Sequence, residues 1–454
     1  MQRFISKYGL AAHLAILAVA PLFFAPTALF WLSLYTFLWV LLEPSRTGNE
    51  LLHESRRRVF KGIVRDPVFY LSLVLAVVAL VRYLNVGVGR EFDAENMKWC
   101  LSAPGYPLLP GSVEGCGFNE LAMTVALVSV LQGVRHGLGK SARYMFAILA
   151  SFLTGLGALT YFTLYFMDYA PIKEMLEWST LKPAYVGSVY GVYLVLAVCG
   201  LFSVLERGWL RSLPLTMIAV AGNILGLFLF APPYVQVLFV GATLIVFIYA
   251  FVVARIQFGT PSEFKYLVFL SLSITVSVLF VYGVLESSLL ETRIAPYMTG
   301  KFLTEDTWSL RSLLDDISLR TWKLYPWLGS GLGSAKMAMT FHITPEEWGL
   351  ISPLQEGPLN GYWMLLIERG TLGAFAIFMM LALLLWSYGL ALYQGVRRHL
   401  PHPAAWAALM VLIAAILQAV VDYSFLDPAM MMALALTLAL SARSFPKEKK
   451  QHGK

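Results

Sequence analysis

The residues of this chain best suited to chemistry lie between positions 286 and 369, most of them in 286–357, the only long polar stretch of an apolar sequence. Arg311 carries a planar guanidinium, a shape that suits a phosphate, on a stretch that also reads as an interfacial helix with solvated charges. His342 titrates in the range a general base needs, and Glu346, Glu347 and Glu356 follow it. Gly329-Ser330-Gly331-Leu332-Gly333 precedes a predicted short helix from Ser334. Glycines opening a helix can turn backbone N–H groups toward an anion, although a tight turn accounts for them equally well. They are not a dinucleotide fingerprint, because no strand precedes them and no βαβ unit surrounds them. Glu368-Arg369 reads as a structural ion pair or as part of a cavity wall.

Two helical elements must position these groups. Residues 304–325 read as an amphipathic helix, with Thr304 as cap and Leu310, Leu313, Leu314, Ile317, Thr321 and Leu324 at helical spacing. Pro326 ends it. From Pro358 an apolar pattern runs to Gln394, about 55 Å of helix, too long for one membrane crossing. The sequence predicts a break at Glu368-Arg369-Gly370, and non-helical backbone at that depth must be buried in protein or line a cavity.

Composition sets the surroundings. Of 454 residues, 58% are hydrophobic and 13% charged, about half the charged share of a soluble globular protein. A cytosolic enzyme, a disordered chain and a disulfide-stapled secreted module are excluded. The expected fold is an all-α integral membrane protein with about twelve spans. They fall near 9–24, 26–42, 67–86, 119–134, 144–167, 184–205, 213–230, 235–254, 265–285, 370–394, 404–421 and 427–442. Arg3, Lys7 and Ala18-Val19-Ala20 imitate a signal peptide, but Pro21 and a second apolar run predict a retained helical hairpin. Lys and Arg collect in alternate loops, which predicts cytoplasmic termini. The net charge of +7 is thereby a topological signal, with no basic face for nucleic acid. Residues 1–285 then hold nine spans, 286–369 a large outer loop with the candidate site, and 370–454 three spans and a basic tail.

Among the three cysteines, Cys100 and Cys116 share an outer loop where a disulfide would contribute about 3 kcal/mol; two free thiols are the alternative. No metal-ligand spacing appears. The spans are almost free of charge; His13 and Arg82 are the notable exceptions, and Arg82 is expected to snorkel to the interface. With so few buried charges and no repeated halves, an ion-coupled carrier is disfavoured.

Arg311, then Tyr325-Pro326-Trp327-Leu328-Gly329-Ser330-Gly331-Leu332-Gly333, then Asn360 with nine residues before Gly370-Thr371-Leu372-Gly373, resembles the bacterial O-antigen ligases and polymerases of surface polysaccharide assembly. The motif covers about 60 residues; elsewhere the likeness is one of topology. The resemblance implies a GT-C-like, metal- and cofactor-independent glycosyltransferase of the inner membrane. It would move a glycan from undecaprenyl pyrophosphate to a glycan or lipid acceptor on the periplasmic side, in O-antigen, lipopolysaccharide or exopolysaccharide synthesis. Other polysaccharide-assembly proteins would be its partners, and no nucleic acid.

The chain departs from the family pattern at two points. The family His falls at Leu359, and a Ser-Arg-Gly turn is replaced by Ala231-Pro232-Pro233-Tyr234. The implied substitutes are His342 or Glu356 as base and Arg293 or Arg320 as the second cation, beside Arg311, Asn360 and Arg369 at the substrate. A polymerase is favoured over a ligase, and a non-catalytic subunit or lipid-linked-sugar flippase of the same pathway is the alternative.

Overall fold

The computed structural model describes residues 2–20, 26–44, 52–93, 98–102, 106, 109–166, 183–206, 212–231, 233–258, 305–348, 360–397, 403–421, 430, 433–434 and 437. The described chain is helical apart from one short hairpin. In order, the helices are α1 (Gln2–Val19), α2 (Pro26–Leu42), α3 (Leu52–Val64), α4 (Pro67–Leu84), α5 (Cys116–Gln132), α6 (Lys140–Phe166), α7 (Pro183–Glu206), α8 (Leu213–Phe230), α9 (Pro233–Phe258), α10 (Glu305–Leu324), α11 (Ala335–Thr340), α12 (Pro345–Trp348), α13 (Gly361–Arg397) and α14 (Pro403–Val421). Between α4 and α5, strands β1 (Arg90–Asp93) and β2 (Lys98–Leu101) pair antiparallel, with Arg90 opposite Leu101. The all-α expectation omits this hairpin.

Among the described residues, three helical stretches, Cys116–Gly137, Ala142–Thr163 and Gly361–Met379, are long and apolar enough to cross a membrane. The bent pair Leu52–Val64 and Val68–Leu84 makes a fourth if it forms one span, and six shorter apolar helices accompany them. Of the twelve expected spans, 265–285 lies outside the described residues, as does most of 427–442.

Small residues and internal hydrogen bonds join the helices, the kind of contact that holds helices together without a hydrophobic drive. A Cβ on Gly222 of α8 would collide with the backbone of Gly155 on α6, so the two backbones touch there. Beside that contact, the buried Asn223 amide donates to the Ser151 carbonyl at 2.8 Å. Gln418 of α14 donates to the Ser188 hydroxyl of α7 at 2.6 Å. The Tyr193 hydroxyl, deep in the bundle, donates to the Ala18 carbonyl at 3.2 Å.

The bend of 69° between α3 and α4 is fixed by Asp66. Its carboxylate caps α4 by accepting the Val68 N–H, and Pro67 supplies the preset first residue. The same carboxylate takes a two-point bond from Arg135, at 2.7 and 2.9 Å. A third contact, 2.9 Å, comes from His136 Nε2. Arg135 and His136 reach it from a π-helical turn, Gly133–Gly137, that extends α5. Asp66 is 4% exposed and Arg135 is half-buried, so removing the carboxylate leaves a largely enclosed cation without its partner. Asp66→Ala should therefore cost about 3 kcal/mol, read as a lower melting temperature in detergent; an unchanged melting temperature would contradict this role.

Candidate functional site

The candidate site is assembled at one break. α13 runs from Gly361 to Arg397 with non-helical geometry at Gly370 (φ 63°, ψ −178°), where the sequence predicts it. Breaking a helix frees amides and carbonyls that need partners. Here the turn at 326–330 supplies them. The N–H groups of Thr371 and Leu372 donate to the carbonyls of Pro326 and Trp327, at 2.8 and 3.2 Å. In return, the Ile367 carbonyl accepts the Ser330 N–H at 2.7 Å and the Ser330 hydroxyl at 3.0 Å.

Glycine is required on both sides of this joint. Gly370 and Gly329 both have positive φ, a region costly for other residues. A Cβ on Gly370 would strike the Trp327 carbonyl, and one on Gly329 the backbone of Glu368. The next glycines tie the turn to the rest of the bundle. The Leu332 N–H donates to Gly111, and the Val113 N–H to Leu332, joining the turn to the segment that leads into α5. Gly333 lies against Cys116 Sγ, with no room for a side chain between them.

Charge converges on the same place. Glu120, in the second turn of α5, accepts Arg82 Nη1 from α4 at 2.9 and 3.2 Å. Its Oε1 also forms an ion pair with Arg369, whose Nη1 lies 2.7 Å away. Arg82 is 2% exposed and Glu368 4%. Glu368 Oε1 accepts the Gly333 N–H at 3.1 Å, so an internal carboxylate occupies an amide of the glycine turn. Two arginines and two carboxylates thus form one buried network, with Glu368 in electrostatic reach of Arg82, Arg369 and Glu120.

A second polar group sits beyond a small apolar layer. α10 packs Leu314 and Ile317 against Ala335, Ala338 and Met339 of α11 and Ile367 of α13. At its far end, Arg320 bonds Glu347 at 2.6 Å, Asp316 at 3.2 Å and the His342 carbonyl at 3.1 Å. The Thr344 amide and then Arg320 hold the Glu347 carboxylate below the usual range. Burial, with Arg320 second, holds the His342 ring below its usual 6.5.

The sequence-predicted residues therefore divide. Arg369 lies in the network at the break, while Arg320 reaches both the Glu347 carboxylate and the backbone carbonyl of His342. Asn360 caps α13, its side-chain oxygen accepting the Tyr362 N–H at 2.9 Å. Arg311 is a helical residue of α10, and Arg293 and Glu356 lie outside the described residues. Two expectations are corrected. Arg82 does not snorkel, because it is buried against Glu120. The Cys100–Cys116 disulfide is not formed: Cys116 is a free thiol turned toward Gly333. Glu120 and Arg82 were missed as a pair; opposite charges near the shared end of two adjacent apolar blocks were the available signal.

Gly370→Ala should open this joint, lowering stability by about 2 kcal/mol or more and exposing residues 325–334 to protease. Gly389→Ala, further along the same helix with open space for a Cβ, should lower neither stability nor protease resistance, because alanine is the better helix former. Acidification gives a separate readout. Folded His342 resists protonation, so its contribution to stability is whole above pH 6.5 and is lost as pH falls through its lower folded value. Glu347 acts in the same direction, its contribution lost as pH falls below its usual 4.5. Hydrogen exchange of residues 335–348, corrected for intrinsic rate, should speed up in two acid steps, and His342→Gln should remove the first. No protein-family model matches the chain, and no curated protein is detectably similar to it in sequence.

Proposed function

We propose that this chain is a membrane glycan transferase of the O-antigen ligase and polymerase type, a polymerase more than a ligase. Its substrate is an undecaprenyl-pyrophosphate-linked oligosaccharide, and its reaction runs at the outer, periplasmic surface of a bacterial inner membrane. In this reading the chain has about twelve spans, cytoplasmic termini and one large periplasmic loop.

One observation carries the reading. The two halves of the motif, residues 325–333 and 360–373, hydrogen-bond directly to each other at the helix break. The same joint gathers the end of α4, through Arg82, and the start of α5, through Glu120 and Cys116. The Lys and Arg distribution assigns all of these ends to the outer side, so orientation and contacts agree. A pyrophosphate leaving group needs cationic donors at this level, and an acceptor hydroxyl needs a base. Arg311 enters α10 on the approach to the joint, and His342 and Glu356 are the available bases.

A second reading rests on the same network. Arg82 and Arg369 are both engaged by Glu120, and Leu359 stands where the family has its His. Arginines committed to structure and a missing base suit a non-catalytic subunit or a lipid-linked-sugar flippase.

Purified protein, given an undecaprenyl-pyrophosphate-linked oligosaccharide and a series of acceptors, should release free undecaprenyl pyrophosphate, detected by mass spectrometry. Arg311→Ala should reduce that release about a hundredfold while leaving the melting temperature unchanged. Release that ignores Arg311 would remove it from the site, and no release with any acceptor would favour the second reading.

A further inference from the structure

At the opposite end of α4 from the motif, α3 presents a face that the bundle does not use. Ser55, Val59 and Ile63 are buried, four residues apart, and Val59 and Ile63 belong to the main apolar core. The outward side carries two parallel stripes. One is cationic: Arg57, Lys61 and Arg65 recur every fourth residue and are exposed. The other is apolar: Phe60 is 65% exposed and Val64 43%. Tyr70, 51% exposed, adjoins them and donates its hydroxyl to the Val64 carbonyl at 2.8 Å.

This face is unfavourable in isolation. Like charges four residues apart on a helix repel, and the one acidic residue of α3 is Glu54. Asp66, next along the chain, is buried and held by Arg135 and His136. Geometry identifies a partner. α4 shows an apolar flank of Leu71, Leu73, Val74, Val77 and Leu80 to its surroundings, as a membrane-crossing helix does. With α4 crossing, the 69° bend lays α3 near the plane of the membrane surface.

We infer that α3 is an interfacial helix that binds anionic phospholipids, its Arg57–Lys61–Arg65 stripe on headgroup phosphates and Phe60 and Val64 set into the acyl boundary. An amphipathic helix with cations beside aromatic and aliphatic groups binds such a surface through both terms. The inference rests on the membrane reading of the bundle and is independent of the transferase reading.

The test uses the full chain in nanodiscs of phosphatidylcholine with or without phosphatidylglycerol. Native mass spectrometry of the released protein should show bound phosphatidylglycerol enriched over its share of the disc. Reversing Arg57, Lys61 and Arg65 to Glu should lower that enrichment about tenfold or more. Reversing Lys447, Lys449 and Lys450 in the tail should leave at least half of it. Hydrogen exchange of residues 52–64 in the unaltered protein should slow when phosphatidylglycerol is present, a readout that survives if the reversed variant fails to fold. Enrichment that persists in the folded reversed variant, or exchange indifferent to phosphatidylglycerol, would overturn the inference.

Discussion

One carboxylate oxygen holds together elements far apart in sequence. Glu120 Oε1 pairs with Arg82 of α4 and with Arg369 of α13, and Arg82, 2% exposed, is too deeply buried to lie without a counter-charge. Arg82 fixes α4 against α5 at the end where the two helices meet the motif. Arg369 brings in the later chain, one residue before its helix breaks. Remove the carboxylate, and two arginines face each other in a low-dielectric site. The rest of the joint depends on this charge balance because it holds α13 against α4 and α5 one residue before the break at Gly370.

The break is then a consequence that other residues make tolerable. At Gly370 the helix loses internal bonds, and the turn at 326–330 restores them from outside. That turn can approach because Gly329 and Gly370 have no side chains at the contact. Glu368 completes the arrangement by accepting the Gly333 amide. An amide of the glycine turn is held by the protein's own carboxylate and is closed to a substrate anion. Any phosphate chemistry near this point therefore falls to cations outside the network, which is why Arg311 carries the catalytic proposal and Arg369 a positioning role.

Much of this was legible in the sequence, for local reasons. The length of the apolar run after Pro358 forced a break, and Gly370 was the residue able to take it. The Leu and Ile spacing of 304–325 gave α10, whose Leu314 and Ile317 are buried as the pattern requires. What the sequence hid was pairing across distance. Arg82 reads as a snorkelling cation until Glu120, 38 residues later, is seen beside it. Cys116 reads as a disulfide partner because loop cysteines often pair, and only the packing of Gly333 against its sulfur shows where it points. Arg320 reads as a free cation until Glu347 and Asp316 close on it.

The central claim is that Glu120 and Arg369 are one energetic unit that docks the motif on the bundle. A double-mutant cycle of Glu120→Gln and Arg369→Gln, read by thermal unfolding in detergent, tests it most directly. The account predicts that the double variant is more stable than the sum of the single losses implies, with a coupling of at least about 1.5 kcal/mol. Losses that add to within about 0.5 kcal/mol would contradict it, leaving the two residues as neighbours that do not hold the joint.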